Sequence, residues 1–458
     1  MAEHYDFLVI GGGQGGIPLA RALAAAGKRV ALAERKHLGG SCVNFGCTPT
    51  KAAFASARVA HLARRASDYG IEISSMSVDF PKVLDRAQRI ALESRARLQD
   101  LLEWSGNPQL LRGHARFMER TDAGFKISVD QLRVTAREVV LDTGTRSAKP
   151  QIQGIAGADF ITSENWLTHR ELPRTLLVIG GGYIGLEMGQ FYRRMGSEVT
   201  IIESSAQVLP QEDQDVAIAL QRALEAEGVR FLMNARLTGV SKLSQGVSAT
   251  VSFDGGSDQV TAAAAFLALG RQPNTDELGL DLVGVHATDK GIVQVDERLA
   301  TSTPGIWAMG DIRGGPMFTH TSWDDYRILE SQLIGDRSRT LERIAPYAVF
   351  TDPELGRVGM TEKQARALGH DVKVGHLEMR HNGKARENGE TRGFVKLVTH
   401  AADQRLLGAA ILSVEAAELV HLYVELMNTG MPYQALERAI YIHPTLSEAT
   451  QSAIATIH

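Results

Sequence analysis

Two stretches of this chain carry the same glycine pattern in the same setting, and few folds are open to a chain with that repeat. The apolar run 7–10 leads directly into Gly11-Gly12-Gly13-Gln14-Gly15-Gly16, a helix-compatible run follows over 17–26, and a second apolar run, 30–33, ends in Glu34. The run 176–179 leads in the same way into Gly180-Gly181-Gly182-Tyr183-Ile184-Gly185, a helix is expected next, and the run 199–202 ends in Glu203. An offset of 169 positions carries Gly11 to Gly180, Gly16 to Gly185, Gly27 to Gly196 and Glu34 to Glu203 without a gap. This order of strand, glycine turn, helix and acid-terminated strand is what a dinucleotide-binding unit requires. The first glycine permits the tight turn, Gly13 or Gly182 lets the backbone approach a pyrophosphate, and the third lets the helix pack close on the strand. The closing acid takes ribose hydroxyls. One such fingerprint is a weak signal; a gapless repeat with its strands, helices and acids implies two nucleotide cofactors in one chain.

At 458 residues the chain exceeds what one core serves, and about three domains are expected. Hydrophobic residues at 44% and charged residues at 22% are globular values. A net charge of -4 supplies no basic field for nucleic acid or anionic lipid. No apolar run is long enough to span a membrane, and the N-terminus lacks the pattern of a secretory signal, so a cytoplasmic location is expected. The expected class is α/β, with two Rossmann-like dinucleotide-binding domains followed by a mixed α+β domain. Its boundaries are expected at 1–150, 151–270, 271–336 (a return to the first domain) and 337–458, with the glycine-containing connection 150–157 as the first break. Long helices are expected over 51–67 and 81–104, and strands over 110–117 and 138–142, the latter ending in Thr143-Gly144. Further strands are expected over 264–269, 305–311, 394–399 and 408–413, and helices over 414–428 and 433–440.

The only two cysteines, Cys42 and Cys47, stand five positions apart in Gly39-Gly40-Ser41-Cys42-Val43-Asn44-Phe45-Gly46-Cys47-Thr48-Pro49-Thr50-Lys51. Pro49 and the helix-compatible residues after it start a helix near Cys47, and a helix N-terminus biases a thiol toward the reactive thiolate. A structural disulfide across so small a loop removes little entropy from the unfolded chain. A zinc site needs further ligands that no other cysteine supplies, so no metal site is expected. Redox chemistry is the favoured reading, and in a reducing compartment a disulfide is usually transient and catalytic. Two inert thiols are the alternative.

Two weaker landmarks follow. Gly310-Asp311 closes an apolar run as an acid placed to hold a polyol hydroxyl of a cofactor; the alternative is a helix cap for the segment after Thr319. In His443-Pro444-Thr445-Leu446-Ser447-Glu448, Pro444 is expected at a helix's first position, with Glu448 in the next turn able to orient the imidazole. A histidine before proline is most often only a turn residue; beside a dithiol that must lose and regain protons, His443 and Glu448 become a candidate acid–base dyad.

With both fingerprints, the cysteine loop, Gly310-Asp311 and the His443 to Glu448 string in place, the chain closely resembles the flavoprotein pyridine-nucleotide disulfide oxidoreductases, the group of dihydrolipoamide dehydrogenase, glutathione reductase and mercuric reductase. The resemblance implies FAD in the first unit, a nicotinamide nucleotide in the second, and a C-terminal domain that forms a homodimer with shared active sites, His443 and Glu448 serving the dithiol of the other subunit. It makes Cys42 the interchange thiol, Cys47 the thiol against the flavin, and Lys51 the cation near the flavin with Glu187 as its ion partner. Gly40, Ser41, Gly113, His114, Thr143, Gly144, Met317, Phe318 and Thr319 are expected to touch FAD; Tyr183, Ile184, Leu237, Gly270 and Arg271 are expected beside the nicotinamide nucleotide. The chain lacks the C-terminal cysteine pair of mercuric reductases and has His443 where they carry tyrosine. It has Thr319-His320-Thr321 where dihydrolipoamide dehydrogenases usually show Ala-His-Lys.

The function expected is two-electron transfer between NAD(P)H, FAD, the Cys42–Cys47 disulfide and a small dithiol or disulfide substrate. NAD is expected over NADP, because Glu203 accepts from a free 2′-hydroxyl and Ser204-Ser205-Ala206-Gln207-Val208 brings no basic residue for a phosphate. The alternatives are a metal-ion reductase and a redox-sensing flavoprotein without turnover; the proton shuttle at His443 speaks against the sensor.

Overall fold

The computed structural model describes residues 3–155 and 160–457. The connection expected at 150–157 therefore lies partly outside the described residues.

Unit 1 begins with β1 (Glu3–Ile10), α1 (Gly16–Ala25) and β2 (Val30–Glu34). A short helical turn α2 (Gly40–Asn44) and the long α3 (Cys47–Arg64) and α4 (Phe80–Ser105) follow, and then β3 (Gln109–Arg112), β4 (Ala115–Thr121), β5 (Gly124–Val129) and β6 (Leu132–Leu141). The strands lie in the order β3-β2-β1-β6-β5-β4. β1 pairs parallel with both β2 and β6, and its last four residues are buried. A strand covered on both faces reads as continuous apolar sequence, which is why the run 7–10 shows no alternation.

The single strand expected over 110–117 is two. Gly113 breaks it at φ +149, where a Cβ would lie 2.6 Å from Asp130 Oδ2, and the next amide, His114 N–H, donates to Asp130 Oδ1 at 2.9 Å. β3 stays in the parallel layer, while β4 turns away into an antiparallel ribbon with β5 and β6.

After β7 (Thr145–Ser147), unit 2 repeats the plan: β8 (Thr175–Ile179), α5 (Tyr183–Met195), β9 (Glu198–Ile202), α6 (Gln214–Ala226) and β10 (Arg230–Leu232). An antiparallel ribbon, β11 (Arg236–Lys242), β12 (Val247–Phe253) and β13 (Gly256–Ala262), leads to β14 (Ala264–Leu267), which completes a parallel sheet in the order β10-β9-β8-β14. The chain then returns. β15 (Arg271–Pro273) pairs with β7, and β16 (Ile306–Ala308) pairs parallel with the free part of β6, over Val139, Val140 and Leu141. Helix α7 (Thr319–Ile334) packs against α1.

The C-terminal unit is a five-stranded antiparallel sheet of β17 (Tyr347–Val349), β18 (Glu354–Gly359), β19 (Val372–Glu378), β20 (Phe394–His400) and β21 (Leu406–Ser413), in the order β17-β18-β21-β20-β19. Its helices are shorter than expected: in place of one helix over 414–428 there are two, Ala416–Leu419 and His421–Thr429, and of 433–440 only Gln434–Glu437 is helical. Among the described residues no helix is long and apolar enough to cross a membrane.

Candidate active site

The two glycine turns are built alike. Gly11 N–H donates to Ala33 O and Gly180 N–H to Ile202 O, each at 2.8 Å. Gly12 N–H and Gly181 N–H donate to Glu34 Oε2 and Glu203 Oε2, again at 2.8 Å, while Lys36 N–H and Ser205 N–H take the other oxygens at 2.7 Å. Each closing acid is thus pinned by the turn it faces. A Cβ on Gly11 would lie 2.1 Å from Asp142 O, and one on Gly180 would lie 2.5 Å from Ala268 O; on Gly16 or Gly185 it would come within 2.1 or 1.9 Å of the first glycine's carbonyl. The bare turns let an anion come close to the helix start, which fits a pyrophosphate in each unit, although in unit 1 the Gly16 N–H already donates to Asp142 Oδ2 at 2.7 Å.

A cavity of about 1090 Å³ runs from Glu34 past Gly11, Gly13, Thr143 and Asp311 to the cysteines. Gly40, Ser41, Gly113, His114, Gly144, Met317, Phe318 and Thr319 line it as well, as do Tyr183, Ile184 and Arg271 from the unit 2 side. Asp311 Oδ2 accepts from Thr145 Oγ1 at 2.8 Å. It does not cap α7, whose first residue is preceded by Phe318, with Thr321 Oγ1 accepting from Phe318 N–H at 3.2 Å. Arg271 is committed to the cavity wall, donating from Nε to Thr145 Oγ1 at 2.6 Å and from a terminal nitrogen to Ser163 Oγ at 3.2 Å. Leu237 turns its side chain into the apolar core of unit 2 with Ile202 and Val251, which leaves only its backbone for a nucleotide.

At the inner end of the cavity Cys47 is the first residue of α3 and is exposed on the wall, with Cys42 as hydrogen-bonding neighbour. Trp166, fully buried, donates from Nε1 to Phe45 O at 2.8 Å and so fixes the loop between the two thiols. Cys47 Sγ lies 3.2 Å from Thr319 Oγ1. The Cys42 hydrogen bond, with help from the Lys51 charge and Thr319, pulls the Cys47 thiol down to about 6 against the desolvation of a group that meets solvent only through the cavity; Cys42, holding the shared proton, is pushed up. Lys51 Nζ is 3.0 Å from Glu187 Oε2 and 4.4 Å from the Phe350 ring centroid. Lys51 stands on unit 1 and Glu187 on α5 of unit 2, so this ion pair joins the two units beside the thiolate.

His443 is not on the wall of that cavity. Its side chain is 78% exposed, next to the exposed Ile440 and Ile442. The helix expected to start at Pro444 starts five residues later, at Ala449, with Glu448 just before it. The reason is local: Glu448 Oε2 accepts from Thr445 N–H at 2.7 Å and Oε1 lies 2.9 Å from His443 Nδ1, so the carboxylate closes a non-helical turn. The Thr445 amide first, then His443, hold the Glu448 carboxyl below its usual range. The expected contact between His443 and Glu448 is thus made on a different backbone.

The sequence from 5 to 325 matches the family model described as pyridine nucleotide-disulphide oxidoreductase, and 345–454 matches that family's dimerisation domain. The chain belongs to this family. Among relatives of this oxidoreductase, a probable pyridine nucleotide-disulfide oxidoreductase, RclA, of Escherichia coli strain K12 is 34% identical over 450 residues, 97% of each chain. A dihydrolipoyl dehydrogenase of Chlorobaculum tepidum is 35% identical over 460 residues, 99% of this chain and 97% of the other. A solved Cu(II) complex of a cysteine-to-serine mutant of the HOCl-induced flavoprotein disulfide reductase RclA from Escherichia coli superposes with a TM-score of 0.91 at 33% identity, covering 100% of both chains. The oxidoreductase is a flavoenzyme using FAD and a nicotinamide nucleotide, with a disulfide redox centre and a dimerisation domain.

Sequence reasoning missed several residues. Asp142 looked like an ordinary strand end, and Trp166 sits in a connection without a motif. Asn274, whose side chain donates to Thr143 O at 2.9 Å, follows Gly270 and Arg271 without a motif of its own.

Proposed function

We propose that this enzyme carries two electrons from NADH to a small disulfide, in the manner of a dihydrolipoamide dehydrogenase run in either direction, with FAD in the large cavity and the dithiol of each subunit served by His443 of the partner subunit. The observation that carries the reading is the dyad. Glu448 on Nδ1 fixes the imidazole with Nε2 as a proton acceptor facing outward. His443 is exposed within its own chain and absent from its own dithiol cavity, which fits a base offered to a second copy. His320 does line the cavity, but its Nε2 is taken by Pro346 O at 2.6 Å.

FAD, when bound, supplies the two-electron step between nicotinamide and the cysteines. The Lys51–Glu187 pair puts a cation at the wall where negative charge develops. For the exchange, the base takes the Cys42 proton, and the Cys42 thiolate attacks one substrate sulfur; a mixed disulfide forms and the leaving sulfur takes the proton from the imidazolium. The Cys47 thiolate then attacks Cys42 Sγ, closing the Cys42–Cys47 disulfide and releasing the second substrate thiolate, which picks up a proton from water. One disulfide is lost and one is made. Cys47 is the thiol held ready as thiolate, and Cys42 the one that needs the base, in agreement with their opposite shifts. Glu203, pinned by Gly181 and Ser205, is proposed to select NAD over NADP.

A second reading rests on the Cu(II) complexes of the RclA structures: a thiophilic metal ion as electron acceptor, two Cu(II) becoming two Cu(I) as the Cys42 thiol and the Cys47 thiolate close their disulfide and release one proton to water. A steady-state assay with NADH against lipoamide, glutathione disulfide, Hg2+ and Cu2+ separates the two. Turnover of lipoamide that depends on His443 supports the first; turnover of metal ions alone, indifferent to His443→Ala, replaces it with the second.

A further inference from the structure

The strand next to each glycine turn ends differently in the two units. Asp142 N–H donates to Ile10 O at 2.8 Å, and Ala268 N–H donates to Ile179 O at 2.8 Å, so Asp142 and Ala268 occupy equivalent places after β6 and β14. The Asp142 carboxyl is buried and points under the turn, where its Oδ2 accepts from Gly16 N–H, the first amide of α1, at 2.7 Å. Three glycines make room for it. A Cβ on Gly13 would meet Asp142 Oδ2 at 2.8 Å, one on Gly16 would meet it at 3.0 Å, and one on Gly310 would meet Oδ1 at 2.8 Å. In unit 2, a Cβ on Gly182, the equivalent of Gly13, meets nothing within 4 Å. Unit 1 has thus placed an acid at a helix start where its twin has a methyl group.

We propose that Asp142 is a positioning residue for the flavin dinucleotide, and that its proton sets how tightly the diphosphate end of that cofactor is held. Asp142 lines the same cavity as Gly11, Gly13 and Thr143. As a neutral acid it fills the space among the glycines and leaves the field of the helix start to the diphosphate. As a carboxylate it sets a like charge against the diphosphate and draws on the same N–H groups. The charged groups around it favour the neutral form. Asp311 from the turn after β16, Asp325 from α7 and Glu34 from β2 add their repulsion to burial, and only the Gly16 amide opposes them. Asp325 is itself neutralised by Arg313 at 2.7 Å and Arg343 at 2.6 Å, so neither arginine is free to pair with Asp142.

The test is FAD affinity of the apoprotein, read by flavin fluorescence between pH 6 and pH 9. Wild type is expected to lose affinity as pH rises, by at most tenfold per pH unit, the limit for one linked proton. Asp142→Asn, which keeps the shape and an acceptor for Gly16 N–H, is expected to hold FAD at least as tightly at pH 9 and to give a flat profile. A residue that only packs the turn would give Asp142→Asn the same pH profile as wild type, and that result overturns the proposal. Should the variant not fold as apoprotein, proton uptake on FAD binding to wild type, from calorimetry in buffers of different ionisation enthalpy, decides: uptake rising toward one proton per flavin is expected, and none at any pH in the range overturns it.

Discussion

The two dinucleotide turns of this chain share one clamp and diverge one strand away. Glu34 and Glu203 hold their turns with the same pair of backbone hydrogen bonds at the same lengths, yet unit 1 lays Asp142 under its turn and unit 2 lays Ala268. Gly13 and Gly182 are therefore the same letter of the same fingerprint for different reasons. Gly182 is required only by what binds over it, whereas Gly13 is required also by the carboxyl beneath it. A fingerprint glycine reports that a side chain is forbidden; it does not report which neighbour forbids it.

The largest effect should show that neither turn does the dithiol's proton chemistry. His443→Ala is expected to slow disulfide exchange by about a hundredfold to ten-thousandfold, while NADH still reduces the flavin at close to the wild-type rate in stopped-flow; equal slowing of both half-reactions would mean that the units and the dithiol centre are not separable. Next comes coenzyme choice, which should belong to one unit alone. Wild type is expected to favour NADH over NADPH by roughly tenfold to a thousandfold in kcat/KM, Glu203→Ala to narrow that ratio, and Glu34→Ala to leave it alone; a preference for NADPH would show that Glu203 does not face the ribose.

Smaller, and aimed directly at the contrast, is the pair Gly13→Ala and Gly182→Ala in cofactor-free protein. Overpacking against Asp142 should cost about 1–3 kcal/mol at Gly13, while at Gly182, with φ -77 and open space, alanine should be neutral or stabilise by up to about 1 kcal/mol. Equal melting temperatures for the two variants would remove Asp142 as the reason for Gly13. The smallest effect is spectroscopic and lies where the units meet. The ultraviolet thiolate absorbance of reduced apoprotein should persist down to about pH 6 and vanish below it, because a depressed pKa keeps the charged form until pH falls through the folded value. Cys42→Ala, which removes the donor, should move that midpoint up more than Lys51→Met does, since the Cys42 hydrogen bond is the larger cause.

Both turns, the acids that close them and the start of α3 at Cys47 were legible in the sequence because each depends on residues close together along the chain. Glycine spacing and the strand-end acid are local geometry, and the gapless offset doubles the signal. What escaped was set by contacts across the chain. Asp142 reads as any polar strand end until Gly16, Gly13 and Gly310 are seen around it, and Trp166 reaches the cysteine loop from more than a hundred positions away. The helix expected at Pro444 failed for a local reason instead: a proline at a helix start is a good rule, but Glu448 caps the preceding turn with two side-chain bonds and delays the helix to Ala449.

Strand β16 gives the molecule an order of assembly. All four parallel strands of unit 2 lie in one uninterrupted stretch, but the β6 edge over Val139–Leu141 waits for residues that follow the whole of unit 2. On a ribosome adding roughly 5–20 residues per second, that wait is on the order of 10 s. Asp311 comes later still, just after β16. The unit that leaves the ribosome first is thus finished after the one inserted into it, and a nascent chain cannot complete the large cavity until unit 2 has already emerged.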